Sequence, residues 1–199
     1  MLKQYFDMKN MGIADIILGI KIYKTSGELV LSQSHYIEDV LRKFDVFDSP
    51  PIKSPMNMNH RIDKNRGAPV FQERYTQVIC SLMYITNCTR PDIAYPVNKL
   101  AMFTRNLGND HWKTLNWILR HLKYSLTYRL HYSIYPSVLE GYNDANWISD
   151  IENTKSTSGY VFTIGGGVLS WKSSKQTCIA RCTMKSEFII LDNAGEEVE

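Results

Sequence analysis

Two acidic residues in the last third of the sequence have the types and the order that a metal site would need. Asp144 stands in a stretch of small and aromatic residues typical of a strand, and Glu187 stands in a later stretch with helical spacing. The chain between them is long enough for the helix to return across the sheet. Carboxylate oxygens are preferred ligands of Mg²⁺, and two such ions support hydrolysis of a phosphodiester. A shared Mg²⁺ site is one interpretation, and an ordinary surface aspartate in a turn is the other.

The four cysteines predict free, buried structural thiols. Cys80 and Cys88 fall in an apolar helical pattern, and Cys178 and Cys182 are one helical turn apart at the start of another. A zinc site needs a second pair of ligands at matching spacing, and the five histidines are not placed to supply it. We therefore expect the thiols to pack as small apolar groups.

Charge is unevenly distributed along the chain. The formal net charge is +3, but residues 1–137 hold 18 basic and 11 acidic side chains, whereas residues 138–199 hold 5 and 9. This asymmetry indicates two units with different electrostatic roles. A basic unit favours a polyanion such as nucleic acid, and an ordinary charged surface is the alternative explanation.

Composition and hydropathy are those of a globular protein. The chain is 44% hydrophobic and 22% charged, and no apolar run reaches the ~20 residues of a membrane span. The first residues lack the apolar core of a signal peptide. We expect an intracellular location, cytoplasmic or nuclear, with no membrane partner.

The periodicity predicts a hairpin and then helices in the first part of the chain. Residues 15–33 contain two apolar runs around a turn at Gly27. Gly19 interrupts the first run, as it would at a bulge or at a close approach of another backbone. Helical spacing follows at 34–44 and, in several segments, at 73–124, where the helices would form a compact bundle.

After residue 128 the period becomes that of strands. Short strands are predicted up to residue 147, then a hairpin that turns at residues 165–167, and then a helix from Thr177 to the end of the sequence. The predicted fold class is therefore α+β.

Several of these segments, taken in order, resemble one known family. The sequence is similar to the C-terminal part of the polymerase polyprotein of copia-type LTR retrotransposons (Pseudoviridae). The segments that carry this resemblance span nearly the whole chain and include LSQSHYIEDVLRKF, SLMYITNCTRPDIAYPVNKL, LEGYNDANW and KSTSGYVFTIGGGVLSWKSSKQT. Several unrelated motifs in one order make the resemblance specific.

The resemblance implies the end of a reverse-transcriptase palm and thumb within residues 1–130. The first hairpin would be primer-grip-like, with Leu18 and Gly19 near the primer end. The helices would be thumb-like and linking helices that hold a primer–template duplex. The side chains implied to contact phosphates, independently of sequence and sensitive to salt, are Arg105, Lys113, Arg120 and Lys123.

The same resemblance implies the N-terminal half of a ribonuclease H-like domain at residues 138–199. Asp144 matches the metal-binding aspartate of that family's first strand, and Glu187 matches the glutamate of its first helix. Both are thereby implied to be catalytic and to bind Mg²⁺, and Asn146 would point the same way as Asp144 because strand side chains alternate. The implied fold is a β-hairpin and thumb-like helical bundle followed by a truncated ribonuclease H-like mixed sheet with one helix. Such a sheet leaves apolar surface uncovered, so we expect it to be less stable than the helical middle.

The sequence also departs from the family pattern. Neither the polymerase Tyr-Val-Asp-Asp stretch nor the later ribonuclease H acids are found in residues 1–199, and Asn146 and Lys185 stand where the family has acids. We therefore expect a partial reverse transcriptase/ribonuclease H that is inactive alone. Its expected partners are an RNA–DNA hybrid or primer–template duplex and the rest of the polyprotein. The alternatives are a non-catalytic nucleic-acid-binding remnant and a functionless, decayed open reading frame.

Overall fold

A computed structural model describes residues 12, 14–57, 62–65, 67, 72–134, 137–150 and 154–197. The elements, in chain order, are β1 (Ile16–Ile17), β2 (Ile20–Lys24), β3 (Glu28–Ser32), α1 (Ser34–Lys43), α2 (Gln72–Cys88), a 3-10 helix (Pro91–Ile93), α3 (Ala94–Ala101), α4 (Asn109–Tyr124), β4 (Leu130–Ser133), β5 (Leu139–Asp150), β6 (Lys155–Ile164), β7 (Gly167–Lys175) and α5 (Thr183–Glu196). Helices and two antiparallel sheets together confirm the α+β class.

The first sheet has the strand order β1-β2-β3-β4 and is antiparallel throughout. The hairpin predicted for residues 15–33 is confirmed, but its first strand is divided into β1 and β2 by Leu18 and Gly19. Both residues have positive φ angles, 50° and 74°, as in a two-residue type I′ turn. Gly19 is a turn residue rather than a bulge, because Ile17 pairs directly with Ile20.

Helices α1 to α4 enclose the main apolar core and form what is called here the helical layer. Their buried stripes are rich in Leu, Ile and Val, as the predicted bundle requires, and each such side chain contributes about 1.5–3 kcal/mol when fully buried. Pro96 lies in the first turn of α3, where its missing N–H breaks no helical hydrogen bond. None of the helices in the described ranges is both long and apolar enough to cross a membrane.

β5, β6 and β7 form the second sheet, and α5 packs on one of its faces. A small core lies between them, made of Ala145, Tyr160, Phe162, Ile190 and Ala194. The hairpin predicted at residues 165–167 is confirmed, with two glycines at positive φ in the turn. The prediction of a mixed sheet is wrong for the described strands, which are all antiparallel. The connections between them are short, whereas a parallel pair needs a crossover of a dozen or more residues.

The short strand β4 connects the two sheets. It pairs with β3, and the backbone N–H of Ser133 donates to the carbonyl oxygen of Gly165 over 2.8 Å. The hydroxyl of Tyr132 donates to the carbonyl oxygen of Val168 over 2.6 Å. The β6–β7 turn is thereby attached to the edge of the first sheet.

The prediction of buried thiols is wrong for three of the four cysteines. Cys80, Cys178 and Cys182 are exposed, Cys88 is half-buried, and all four are free. The buried stripe of α2 does not include Cys80. The last helix begins at Thr183 rather than at residue 177, so the second pair of cysteines precedes the helix instead of packing beneath it.

Candidate functional site

Asp144 lies on β5, and Glu187 reaches the same strand from α5. Ala145, the residue after Asp144, is buried in the core beneath α5, and its backbone N–H donates a hydrogen bond of 3.3 Å to Glu187 Oε1. Asp144 is exposed. Since side chains alternate along a strand, Asp144 belongs to the face of the sheet that α5 does not cover.

The face that carries Asp144 is turned toward the helical layer. Along one row of the sheet Asp144 pairs with Gly159, and Gly159 pairs with Ser173. The Nδ2 atom of Asn98 in α3 donates to the carbonyl oxygen of Ser173 over 2.9 Å. Asn146 shares the Asp144 face by the same alternation. A ligand that reaches Asp144 on this face therefore approaches along the boundary between the helical layer and the second sheet.

The described residues bring together no group of three or more acidic, histidine or cysteine side chains that could hold a metal ion. The carboxylate of Asp144 is open to solvent, whereas that of Glu187 accepts a hydrogen bond at the edge of β5. Mg²⁺ takes one or two carboxylates and completes its shell with water and substrate phosphates. The described residues could therefore contact one Mg²⁺ ion through one carboxylate. They do not form a hydrolytic site for two ions. The catalytic and Mg²⁺-binding roles of Asp144 and Glu187 stay predictions.

The four basic residues predicted to contact phosphates do not share one surface. Arg105 lines a cavity between the helical layer and the second sheet. Lys113 lies on the exposed side of α4, where its Nζ atom pairs with Asp110 Oδ1 over 2.9 Å. An exposed pair of this kind contributes little to stability, so Lys113 can exchange that partner for a phosphate.

The other two basic residues hold a loop against α4. Arg120 Nε donates to the carbonyl oxygen of Pro50 over 2.7 Å, and Lys123 Nζ donates to that of Ser49 over 3.0 Å. The Lys123 ammonium also lies 5.6 Å from the centroid of the Phe47 ring, within range of a cation–π contact. These contacts give both residues a structural role, and their phosphate contacts stay predictions.

Leu18 and Gly19 form an exposed hairpin tip that rests on two tyrosines. The side chain of Leu18 is 81% exposed, and its carbonyl oxygen accepts a hydrogen bond from the Tyr84 hydroxyl. Gly19 lies over the ring of Tyr36, which meets the Tyr84 ring edge to face at 5.1 Å. The tip is fixed at its base and open at its end, and its contact with a primer stays a prediction.

Comparison with known proteins shows that nearly the whole chain is similar to one class of protein. Over 99% of its length the chain is 38% identical to the retrovirus-related Pol polyprotein from transposon TNT 1-94 of Nicotiana tabacum. Over its full length it is 30% identical to the Pol polyprotein from transposon RE1 of Arabidopsis thaliana. The chain is homologous to retrotransposon Pol polyproteins. It spans 16% and 14% of the length of these two relatives.

A shorter relative covers part of this Pol-related chain. The secreted RxLR effector protein 161 of Plasmopara viticola is 37% identical over 62% of the chain, and the match takes in 87% of the effector. No family model matches the chain, and no solved structure is significantly similar to it. The Pol relationship therefore rests on pairwise similarity that includes both sheets and the helical layer.

An ion network that no sequence pattern indicated lies at the start of α3 in this Pol homologue. Arg90 is 1% exposed and donates to both carboxylate oxygens of Asp92, over 2.8 and 2.6 Å, and to Ser125. His121 Nε2 lies 3.0 Å from Asp92 Oδ2, and His121 Nδ1 lies 3.3 Å from the carbonyl oxygen of Ile52.

Burial alone raises the pKa of Asp92, but the hydrogen bonds and charges of Arg90 and His121 outweigh it and hold this pKa well below its ordinary value. The neighbouring Arg90 and Asp92 were visible in the sequence, whereas the distant partner His121 carried no local signal.

Proposed function

We propose that the chain acts as the reverse transcriptase/ribonuclease H region of a copia-type retrotransposon Pol polyprotein. Residues 1–130 would supply the end of the palm, the primer-grip-like hairpin and the thumb-like helices, and residues 138–199 would supply the first half of the ribonuclease H-like domain. The observation that carries this proposal is the continuous similarity to the tobacco Pol polyprotein over 99% of the chain.

The contribution proposed for this chain is binding of an RNA–DNA hybrid or primer–template duplex. Its basic part contains Lys113 on the exposed side of α4 and Arg105 at a cavity beside the second sheet. Contacts from such side chains go to the phosphate backbone, which positions a duplex without reading its sequence. Duplex binding by these residues is therefore expected to weaken steeply as salt is added.

Hydrolysis of the RNA strand is not expected from this chain alone. Asp144 presents one open carboxylate, and Glu187 is engaged at the edge of β5. A two-metal mechanism requires ligands for ions on both sides of the scissile phosphate. With one open carboxylate on the sheet face, the chain would hold a duplex without cleaving it.

A hybrid-binding assay tests the proposal. Fluorescence anisotropy with a labelled RNA–DNA hybrid should show binding that falls linearly with salt on logarithmic axes, and Lys113→Gln should reduce the slope by about one phosphate contact. Asp39→Asn, at an exposed position of α1, is the surface control and should leave the slope unchanged. Absence of salt-dependent binding at low ionic strength would reject the proposal. Cleavage of the hybrid in Mg²⁺ that is lost in Asp144→Asn would instead establish a hydrolytic site in this chain.

A further inference from the structure

A cavity of about 440 Å³ lies between α3 with the segment that follows it and the inner face of the second sheet. Its volume falls within the range of pockets that take a small molecule, roughly 300–1,000 Å³. Asn98 spans its base by donating to the carbonyl oxygen of Ser173. Ser149 Oγ and Thr157 Oγ1, which are 2.5 Å apart, belong to the sheet wall. The hydrogen bond from Asn98 therefore joins the two walls, and the cavity is part of the folded structure.

Basic residues outnumber acidic ones among the described residues that line this cavity. Among the described lining residues, Lys64, Lys99, Arg105 and Lys175 are basic and Asp63 is acidic. Within the described part of the chain, Arg105 forms no hydrogen bond or ion pair. Its guanidinium is thus available to a ligand, and the planar fork of an arginine matches the oxygens of a phosphate. Arg105 and the neighbouring Lys99 therefore make an anionic group the complementary ligand of this cavity.

Two aromatic rings stand beside these cations. Tyr95 and Phe103 line the same cavity from α3 and the segment after it, and both are half-buried. The ammonium of Lys99 lies 5.7 Å from the centroid of the Tyr95 ring and 3.4 Å from its hydroxyl oxygen. A ring and a cation are therefore adjacent within one cavity. A flat heterocycle joined to a phosphate is complementary to that arrangement, because bases of every type stack on aromatic side chains.

We propose that this cavity binds a single nucleoside phosphate, with its base against Tyr95 and its phosphate at Arg105 and Lys99. The hydroxyl group of Ser173 on the sheet wall supplies a hydrogen-bonding partner for the sugar or base edge. The ligand is either a free mononucleotide or one unpaired nucleotide of a strand. The inference goes beyond duplex binding and does not rest on it, because a mononucleotide can be titrated in the absence of any duplex.

Calorimetric titration of the full chain with adenosine 5′-monophosphate tests the inference, with adenosine and inorganic phosphate as separate probes. We expect the monophosphate to bind more tightly than either part alone. Arg105→Gln should weaken this binding about tenfold, since it removes a charge-assisted contact. Tyr95→Leu should also weaken it, with thermal unfolding used to verify that this variant is folded. Lys185→Gln is the matched control, because Lys185 is exposed on α5 and lies outside the cavity, and its loss should leave mononucleotide affinity unchanged.

The outcomes separate the explanations. Equal affinity for adenosine 5′-monophosphate and inorganic phosphate would overturn the inference, as would binding unaffected by Arg105→Gln. Competition by a short single-stranded oligonucleotide would identify a nucleotide within a strand as the source of the ligand, and absence of competition would identify a free nucleotide.

Discussion

The carboxylate of Glu187 lies 3.3 Å from the backbone nitrogen of Ala145 and accepts its hydrogen bond. β5 is at the edge of the described second sheet, and this N–H bonds to Glu187 instead of to the neighbouring strand. Glu187→Ala removes the acceptor, and we expect the free energy of unfolding to fall by about 1 kcal/mol. Glu187→Gln keeps an oxygen acceptor and should retain most of that stability. Urea unfolding followed by tryptophan fluorescence measures the difference.

A control for this effect is available on the same helix. Asp192 is exposed on α5, and Asp192→Ala should change the free energy of unfolding by less than about 0.5 kcal/mol. Amide hydrogen exchange gives a local readout, because the Ala145 N–H should exchange faster in Glu187→Ala. Equal stability losses in the Glu187 and Asp192 variants would contradict a specific contact with the strand edge.

Mg²⁺ titration distinguishes a shared ion from a contact made by Asp144 alone. Side chains alternate between the two faces along β5, which puts Asp144 on the face opposite α5, whereas Glu187 belongs to α5. We therefore expect Asp144→Asn to abolish weak Mg²⁺ binding at this strand and Glu187→Gln to leave it unchanged, as measured by Mg²⁺-induced shifts in NMR spectra. Equal losses in both variants would establish the shared site that the sequence predicts.

These two acids illustrate what the sequence could and could not predict. The strand that carries Asp144 and the helix that carries Glu187 were both predicted correctly, because the repeats of about 2 and 3.6 residues in the apolar pattern are local properties of the sequence. Which sheet face α5 covers depends on packing of Ile190 and Ala194 against Ala145, and no local pattern encodes that choice. The cysteines were mispredicted for other reasons: Cys80 lies outside the buried stripe of α2, and Cys178 and Cys182 precede α5, which begins at Thr183.

Turn chemistry set a second limit on prediction from sequence. The β6–β7 turn was predicted because glycine adopts positive φ without cost. The β1–β2 turn was missed because Leu18, a residue that rarely adopts positive φ, occupies its first position with φ of 50°. Sequence reasoning finds turns through the residues that suit them, so a turn built on an unsuitable residue is read as continuous strand.

Leu18 therefore offers a stabilising substitution. Asparagine followed by glycine is the preferred pair for a two-residue type I′ turn, and Leu18 has an exposed side chain that contributes little to the core. We expect Leu18→Asn to raise the free energy of unfolding by about 1 kcal/mol, measured by urea denaturation. Ile17→Asn, one residue earlier in β1, is the control and should not stabilise. If the tip contacts a primer, Leu18→Asn should also weaken primer–template binding despite the gain in stability.

The network around Asp92 predicts a dependence of stability on pH. Hydrogen bonds and charges from Arg90 and His121, acting against the effect of burial, lower the pKa of Asp92 in the folded chain. A carboxyl with a lowered folded pKa contributes stability that is present above its unfolded pKa, about 4, and is lost as pH falls below it. Asp92→Asn should therefore cost about 2 kcal/mol at neutral pH, less than for a fully enclosed pair because Asp92 is in contact with solvent. The cost should shrink as pH falls below about 4.

Thermal unfolding of both proteins over a range of pH checks this dependence. Asp110→Asn removes an exposed ion pair with Lys113 and is the matched control, expected to have little effect at any pH. A constant difference between Asp92→Asn and the parent protein from neutral to acidic pH would show that the charge of Asp92 does not stabilise the fold.

Apolar side chains on the outer face of α5 predict that the second sheet is the less stable part of the chain. Met184, Phe188 and Leu191 are 68%, 64% and 57% exposed, so a large share of the helix's apolar surface gains nothing from folding. The core beneath α5 is small, whereas the helical layer buries many large aliphatic side chains. Local opening costs least where few apolar contacts are broken. Amides of α5 and β5 should therefore exchange hydrogen faster than those of α2 and α4 in the same mass-spectrometric experiment. Equal protection would contradict this prediction, because it would require both parts of the chain to open in a single cooperative event.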